Sequence, residues 1–224
     1  MRLLLQPHRR DGLVLAGACG LIGLPYGVLA DSAGLTMAQA VALSVFTFAG
    51  SSQFAYVSVI SGGGNPATAV SGALLLAARN ALYGPVVTPV LRGGLFRRAV
   101  AAQFLTDETT AMASAQDEPN TAHDAFWFTG LAIMSLWVAG TVAGVLLGAS
   151  LEDPGAWGLD AAFPAAFVAL LVPHVVTRAG KVTALVGAVI ALVAVPTTPA
   201  GVPILLAALA VGPGMAVAAR RRSL

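Results

Sequence analysis

Small and polar residues interrupt one of the most apolar stretches of this chain. Gly50, Ser51, Ser52 and Gln53 stand in the middle of FAGSSQFAYVSVI, residues 48–60. An unpaired amide in hydrocarbon costs several kcal/mol, so Gln53 requires a polar partner or water. A helix broken at Gly50 would offer free backbone N–H groups and a positive dipole end, which suits a carboxylate. For the glycine and the first serine, close helix packing without any ligand is the alternative.

A second interruption is RNALYG, which places Arg79 in the middle of the apolar segment 67–91. A side chain this far from both segment ends cannot easily reach water by extending along the helix. One interpretation is an anion-facing arginine that lies beside Asn80 and Tyr83 in a pathway. The alternatives are a purely structural salt bridge with a carboxylate, or a shorter segment that leaves Arg79 near the membrane interface.

Two adjacent carboxylates, Asp107 and Glu108, lie inside the segment 99–115. If this segment crosses the membrane, placing both carboxylates in hydrocarbon costs much free energy, which indicates that they have a structural or functional role. Neighbouring residues on a helix point about 100° apart, so the two cannot face one partner equally. One carboxylate could pair with Arg79 while the other meets a substrate ammonium group or carries a proton. An amphipathic surface helix with solvated acids is the alternative.

The fourth interruption is GLPYG, residues 23–27, in the first apolar segment. Pro25 removes a backbone donor, and the glycines on either side permit unwinding. The motif predicts either a kink near the helix end or a discontinuous helix whose freed backbone groups face a cavity. Pro25 and Gly50 are therefore the two predicted helix breaks.

Composition determines the elements that must position these residues. Of the 224 residues, 57% are hydrophobic and only 10% are charged, against about 25% charged in soluble domains. The long apolar runs do not alternate, which favours helices over a β-barrel. The sequence predicts an all-α, polytopic membrane protein, and no linker divides residues 1–224, which are taken as one transmembrane domain. The predicted segments are 13–29, 37–60, 67–91, 99–115, 126–149, 159–177, 182–197 and 203–219.

Lysine and arginine clusters predict the topology, because they mark cytoplasmic loops. Clusters at 2–10, 178–181 and 220–222 put both termini in the cytoplasm and require an even number of crossings. Eight crossings satisfy these clusters, and seven result if 99–115 does not cross. With eight, Arg92, Arg97 and Arg98 face outward, which conflicts with the rule. A segment that enters and leaves on one side would also remove the conflict.

A faint internal repeat accompanies these segments. LAGACG at 15–20, GLTMAQA at 34–40 and ATAVSGA at 67–73 have similar partners, in the same order, at 138–144, 158–165 and 182–188. Internal repeats are common in secondary transporters, whose halves move around a central site. Together the interior polar residues and the apolar residues around them are compatible with a small zwitterion that has an aliphatic side chain.

At these residues the chain resembles a known family. GLPYGVLADSAGLT, FAGSSQF, ARNALYG, LTDE and GLDAAFPAAFVALLVP are similar in order and spacing to the AzlC family, the large subunits of bacterial branched-chain amino acid exporters. The resemblance covers about residues 11–215. It implies proton-driven export of leucine, isoleucine and valine, with methionine as a further candidate, across the cytoplasmic membrane. It also implies a small AzlD-like membrane partner. The implied pathway residues are Ser51, Ser52, Gln53, Arg79, Asn80, Tyr83, Asp107 and Glu108.

The sequence gives less support to other classes of function. No GxSxG, HExxH or P-loop motif is present, which argues against an enzyme or an ATP-driven pump. One cysteine and three scattered histidines predict no metal site and no cofactor. The basic residues sit at segment ends, so they do not indicate nucleic-acid binding. A non-transporting membrane scaffold, or a carrier for another small zwitterion, is the alternative to the exporter.

Overall fold

The computed structural model describes residues 6–150 and 175–220, together with positions 165, 168, 171 and 172. Every regular element in this part of the chain is a helix, which confirms the predicted all-α class. Four helical stretches of the described residues are long and apolar enough to cross a membrane: Pro7–Ser32, Pro66–Val87, Pro119–Ser150 and Val202–Ala219. The predicted segment 159–177 lies mostly outside the described residues.

The elements follow one another in chain order. The helices are α1 (Pro7–Ser32), α2 (Met37–Phe46), α3 (Gly50–Ser61), α4 (Pro66–Ala77), α5 (Gly84–Val87), α6 (Leu95–Gln103), α7 (Asp107–Ser114), α8 (Pro119–Ser150), α9 (Arg178–Ala194), α10 (Val202–Ala207) and α11 (Val211–Arg220). Two short 3₁₀ turns, Ala78–Leu82 and Ala208–Ala210, join α4 to α5 and α10 to α11.

Helices α1 and α8 form a parallel pair at the centre of the fold. At one end, which we call the lower end, the His8 and Arg9 side chains bind Asp124 of α8, with 2.7 Å from His8 Nε2 to Asp124 Oδ2. At the other, upper end, Asp31 of α1 contacts Gly148 of α8. Both helices therefore begin at the lower end and run in the same direction.

Glycines bring the two helix backbones together along this pair. A Cβ on Gly23 would lie 2.8 Å from the carbonyl oxygen of Trp137, and one on Gly27 would overlap the carbonyl oxygen of Thr141. From the other side, Gly140 and Gly144 approach the backbone of α1 in the same way. Small residues at such positions let membrane helices pack closely.

The predicted helix break at Pro25 is wrong, because α1 continues through this residue from Pro7 to Ser32. The glycines of GLPYG are buried against α8, so they serve close packing rather than unwinding. Tertiary contact on both sides of the proline holds the helix together despite the missing backbone donor.

The segment 37–60 does not cross as one helix but folds into a hairpin of α2 and α3. Helix α2 starts beside the upper end of α1, where the Leu35 N–H donates to the carbonyl oxygen of Ala30. It descends until Ser44 reaches Thr141 in mid-α8, with 3.0 Å between the hydroxyl oxygens. After Thr47–Ala49 the chain reverses, and Ile60 of α3 lies again beside the upper end, in a groove with Gly34.

The segment 67–91 is a broken helix that leads from the upper to the lower end. Pro66 opens α4 in the same upper groove as Gly34. The 3₁₀ turn Ala78–Leu82 interrupts the α-helix halfway. By Val90 the chain has reached the lower end, where its carbonyl oxygen is 3.2 Å from His123 Nδ1 near the start of α8.

The segment 99–115 also forms a hairpin, from the lower end, so its predicted crossing is wrong. Helix α6 rises until Gln103 Nε2 donates to the carbonyl oxygens of Val45 and Phe46, at 2.6 and 3.2 Å. After Phe104–Thr106 the chain turns, and α7 descends to the start of α8. The two hairpin tips meet in mid-fold, where the Phe48 and Phe104 rings are 5.7 Å apart.

This reversal explains why the basic loop conflicted with the predicted topology. Arg92 and Arg97 line a small cavity with His123 and Trp127, near the start of α8. The loop therefore lies at the lower end, as Arg9 does. A chain that turns back in mid-fold keeps all of these basic residues on one side, as lysine and arginine bias requires.

Helix α9 packs antiparallel to α10 and α11, and α10 with the loop before it contacts α3 and α4. Gly201, before α10, contacts Val59 and Thr68 at the upper end, with a left-handed φ of 93° that favours glycine. Gly214 of α11 contacts Thr183 near the start of α9, so α11 descends beside α9. The predicted repeat stays a prediction, because most of its second match, 158–165, lies outside the described residues.

Candidate functional site

A cavity of about 410 Å³ lies at the middle of the α1–α8 pair, where the two hairpin tips meet. It falls within the range of roughly 300–1,000 Å³ that is typical of small-molecule sites. Charged, amide and hydroxyl groups share it with apolar side chains. The described residues that line it are Cys19, Ile22, Phe48, Ala49, Gly50, Ser51, Gln53, Phe54, Arg79, Asn80, Thr106, Asp107, Glu108, Ile133 and Trp137.

The start of α3 forms one wall of this cavity. Phe48 has a φ of 37°, in the left-handed region that non-glycine residues seldom adopt, and this conformation reverses the chain into α3. The N-cap residue, Ala49, has no side chain that could accept from the first turn. Gly50 is required here because a Cβ would lie 2.8 Å from the Trp137 ring. The helix therefore presents uncapped backbone N–H groups to the cavity.

Gln53 of α3 belongs to a polar network that α8 supports. Its Oε1 accepts from Trp137 Nε1 at 3.0 Å and from Ser44 Oγ at 3.2 Å. Thr141 completes the network through Ser44 and also donates to the carbonyl oxygen of Trp137 at 2.9 Å. Gln53 is 1% exposed, yet its Nε2 has no hydrogen-bond partner within the described residues. Its two N–H donors are thus available to a ligand.

Arg79 reaches the cavity from the 3₁₀ turn between α4 and α5. Its Nη2 donates to Asp107 Oδ1 at 3.2 Å and lies 3.4 Å from Ser51 Oγ. The turn interrupts the α-helix, so this part of α4–α5 displays Arg79 and Asn80 side by side at mid-fold. The arginine therefore joins three separate elements, α3, the 3₁₀ turn and α7.

The two carboxylates come from the first turn of α7. Thr106 and Thr109 form a reciprocal capping box, in which the Thr106 N–H donates to Thr109 Oγ1 at 3.0 Å. This cap fixes the start of the helix, and acidic side chains are favoured there by the helix dipole. Asp107 is oriented toward Arg79. Glu108 brings a second negative charge, so the described cavity residues carry one more negative than positive charge when ionised.

Apolar residues of α1, α3 and α8 close the rest of the cavity. Ile22 and Ile133 face it from the parallel pair. Phe54 and Trp137 pack around buried Tyr26, with centroids 5.7 and 6.0 Å from the Tyr26 ring. A ligand with a charged head and an aliphatic body would find a partner for each part. No group of three His, Cys, Asp or Glu residues in the described ranges has the arrangement of a metal site.

The structure brings six of the eight predicted pathway residues to this cavity, along with the predicted break residue Gly50. Ser52 instead lines a smaller cavity of about 110 Å³ with Thr47 and Tyr56, on the other side of α3. Ser51 thus faces the central cavity and Ser52 the smaller one, whereas Gln53 lines both. Tyr83 is half-buried but does not line the central cavity, and Pro25 lies in the intact part of α1.

The lining residues that sequence reasoning missed include Cys19, Ile22, Thr106 and Trp137. Three of these belong to ordinary apolar or small-residue runs and carry no signal of their own. Thr106 could have been predicted from the sequence, because a Thr directly before two acids is typical of a helix N-cap. Trp137 could not have been predicted, because its indole N–H gains a hydrogen-bond partner only when α3 packs against α8 in the folded protein.

Comparison with known proteins places this arrangement in a family. The sequence profile described as AzlC protein matches residues 15–151, which include every described charged residue of the cavity. The chain belongs to the AzlC family. The family match begins within α1 and includes both hairpins and all of α8, so these AzlC-family elements are the ones that build the cavity.

Individual relatives are distant. The chain is 31% identical over 177 residues to an uncharacterized membrane protein of Archaeoglobus fulgidus, covering 75% of this chain and 77% of the relative. It is 27% identical to an uncharacterized membrane protein of Helicobacter pylori, covering 77% and 76%. The branched-chain amino acid transport protein AzlC of Bacillus subtilis is 24% identical, covering 74% and 66%. No solved structure matches this AzlC-family chain.

Proposed function

We propose that this AzlC-family protein is the large subunit of a secondary transporter that exports branched-chain amino acids. The substrates are leucine, isoleucine and valine, with methionine as a further candidate. A proton gradient drives export, and a small AzlD-like membrane protein is the partner. The protein acts as a carrier and not as an enzyme. The name of the Bacillus subtilis relative supports the substrate class, although the two sequences are only 24% identical.

The observation that carries this proposal is the composition of the central cavity. Arg79, Asp107, Glu108 and the start of α3 offer partners for both charges of an amino acid. Ile22, Phe54 and the other apolar lining residues accept an aliphatic side chain. Ionisable residues at membrane depth normally indicate a substrate or ion pathway. A single central site between broken helices is also typical of secondary transporters.

The arrangement of basic residues supports an orientation. Arg9, Arg92 and Lys181 lie toward the lower end of the fold, where cytoplasmic loops are expected to be rich in such residues. The lower end then faces the cytoplasm, with both termini, and the upper end faces outward across a bacterial cytoplasmic membrane. The α6–α7 hairpin would enter from the cytoplasm and the α2–α3 hairpin from outside.

Efflux from intact cells tests the proposal directly. Cells are loaded with dipeptides that contain leucine, isoleucine, valine or methionine, and the free amino acid outside is followed. The chain is expressed alone and with its small partner. We expect release that requires both chains and stops when an uncoupler removes the proton gradient. Glycine-only dipeptides provide the matched substrate control, because they release no aliphatic amino acid.

Other results would point to the alternatives. If both proteins reach the membrane and none of these amino acids is released, the exporter proposal is wrong. Screening of other small zwitterions in the same cells would then separate a carrier of different specificity from a non-transporting scaffold. Release that is insensitive to the uncoupler would remove the proton from the mechanism but leave the substrate class standing.

A further inference from the structure

We propose that the substrate carboxylate is bound by the uncapped N-terminus of α3 together with the amide N–H₂ of Gln53, and that Arg79 does not bind it. This assignment rests on the proposed function, because it divides the cavity between the two ends of an amino acid. It gives Gln53 the role of a carboxylate-binding residue and leaves Arg79 the role of a positioning residue for α7.

The Gln53 amide has one end occupied and one end available. Trp137 and Ser44 both donate to its Oε1, which fixes the amide in one orientation. The Nε2 is buried and has no acceptor in the described part of the protein. A buried donor without an acceptor costs about 1–3 kcal/mol, and an anionic acceptor in the cavity removes this penalty. Gln53 lines both the central cavity and the smaller cavity beside Ser52, and the central cavity, at about 410 Å³ against 110 Å³, is the one with room for a ligand carboxylate as the acceptor.

The first turn of α3 supplies donors from the same helix. Side chains of an α-helix lean toward its N-terminus, so the Gln53 side chain points back toward Gly50 and Ser51. Ala49 cannot cap this turn, whereas α7 on the opposite wall is capped by Thr106. The uncapped turn and the unpaired amide therefore form one cluster of neutral donors. Such helix N-termini bind carboxylates and phosphates through N–H groups and the dipole.

Arg79 is less suited to this role because its charge is already matched. Its Nη2 donates to Asp107 Oδ1 at 3.2 Å, and this contact ties the 3₁₀ turn to the start of α7. With that pair formed, Glu108 is the charge left over among the described lining residues. The cavity then attracts an ammonium group toward Glu108 and holds the carboxylate with neutral donors on the α3 side.

Gln53→Glu tests the assignment with a minimal change of shape. Glutamate keeps an oxygen for the Trp137 and Ser44 donors but replaces the N–H₂ group by a negative oxygen. Binding is measured on the purified chain with its small partner, as the rise in Tm caused by leucine, leucinamide or isovalerate. We expect leucine to bind about 10–100-fold more weakly to the variant, as for a lost hydrogen bond to a charged group. Leucinamide, which lacks the carboxylate, should bind the variant at least as well as it binds the wild type.

Gln39→Glu is the matched control. Gln39 is exposed at the start of α2, where its Oε1 accepts from the Thr36 N–H at 2.8 Å, and glutamate serves this capping box equally well. It makes the same chemical change away from the cavity, so leucine binding should remain at the wild-type value. A parallel loss of leucine binding in both variants would overturn the assignment, because a general charge effect would explain it.

A second pair of variants keeps the test decisive if Gln53→Glu does not fold. Ser51→Pro removes a backbone N–H from the first turn of α3, a position where proline is tolerated. Ser51→Ala removes only the hydroxyl group and keeps the N–H. We expect leucine binding to fall more in Ser51→Pro than in Ser51→Ala, while leucinamide binding falls equally in both. Equal loss of leucine binding in the two variants would overturn the role of the α3 N-terminus.

The outcomes separate this assignment from the proposed function. If the wild type binds and exports leucine but Gln53→Glu and Ser51→Pro do so equally well, only the carboxylate subsite is wrong. If the wild type binds none of leucine, isoleucine, valine and methionine, the substrate class fails and the subsite fails with it. Strong binding of isovalerate to the wild type would also overturn the charge division, since isovalerate has no ammonium group for Glu108.

Discussion

The α1–α8 pair and the two hairpins differ in the continuity of their helices. Helices α1 and α8 stay continuous, even through Pro25, and touch each other backbone to backbone at glycines such as Gly27 and Gly144. The hairpins α2–α3 and α6–α7 stop halfway, and they meet at their tips, through Gln103 at the end of α6 and the Phe48 and Phe104 rings. One region is therefore a closely packed, apolar support, and the other supplies helix ends and charges.

This contrast assigns different tasks to the two regions. Close packing of continuous helices leaves no room for a ligand, so the pair contributes only a wall of apolar side chains and Trp137. Interrupted helices expose N–H groups and acidic first turns, which a continuous helix keeps internally bonded. The described cavity charges, Arg79, Asp107 and Glu108, all come from interrupted segments. Substitutions in the pair should therefore affect folding, and substitutions at the breaks should affect transport.

The largest effect on stability is expected from Gly27→Leu. A Cβ at Gly27 already overlaps the carbonyl oxygen of Thr141, so a leucine must force the two helices apart. We expect a loss of about 3 kcal/mol in unfolding free energy, the upper end of typical overpacking effects. Gly17→Leu is the control on the same helix, since a Cβ there has no neighbour within 4 Å. Thermal unfolding in detergent measures both, and an equal shift for the two variants would contradict the close-packed pair.

The next largest effect is expected from Arg79→Gln, on transport rather than on folding. Removing the guanidinium leaves Asp107 without the cation at 3.2 Å and adds an unmatched negative charge to the cavity. We expect export to fall at least about tenfold, as for the loss of a charge-assisted hydrogen bond, while membrane insertion is unchanged. Arg92→Gln, at the exposed lower loop, is the matched control and should export normally.

The double variant Arg79→Gln/Asp107→Asn distinguishes charge pairing from direct substrate contact. If Arg79 acts by neutralising Asp107, removal of both charges should recover part of the export lost in Arg79→Gln. Such coupling is measured by a double-mutant cycle on efflux rates. Strictly additive losses in the cycle would instead favour direct contact between Arg79 and the substrate.

A smaller, graded difference is expected between the two acids. Asp107→Asn weakens a paired carboxylate, whereas Glu108→Gln removes the negative charge that no second cation among the described lining residues balances. We expect Glu108→Gln to reduce the uncoupler-sensitive export more strongly than Asp107→Asn. Efflux with and without uncoupler measures both variants. Equal and mild losses would indicate a solvated acidic helix without a role in transport.

The smallest effect is expected from Asp124→Asn at the lower end of the pair. The aspartate accepts from Arg9 Nε at 2.7 Å and contacts His8, but it is about one-third exposed. Exposed ion pairs are screened by salt and contribute little. We expect a decrease in Tm much smaller than that of Gly27→Leu, and one that shrinks further at high salt. A large, salt-independent decrease would mean that the pair is held at this end rather than by its glycines.

The sequence was sufficient to predict the class of fold and most of the polar residues of the cavity, for a physical reason. Burying a charged or amide side chain in an apolar segment costs free energy in any fold. The sequence alone therefore identifies Gln53, Arg79, Asp107 and Glu108 as unusual, without knowledge of their neighbours. Their convergence follows from the same cost, because each group requires a polar partner.

The chain reversals were beyond such reasoning. An apolar run of about 20 residues has the length of a crossing whether it continues or folds back at its centre. The reversal at Phe48 depends on a left-handed φ at a residue that is not glycine, so the sequence does not indicate it. Conversely, the proline and glycines around Pro25 have the composition of a break, but contact with α8 keeps the helix intact. Tertiary packing determines both the reversal at Phe48 and the continuity of α1 at Pro25. The local sequence carries no information about that packing.

The brevity of α6 and α7 has a consequence for the order in which the protein is made. With nine and eight residues, these helices are about 14 and 12 Å long, well short of the roughly 30 Å of hydrocarbon. Neither can be inserted alone, because the open backbone at Phe104–Thr106 would meet lipid without hydrogen-bond partners. The hairpin must therefore wait at the membrane surface on the side of the lower end until α1 and α8 have been inserted and paired. Biogenesis then completes the cavity last.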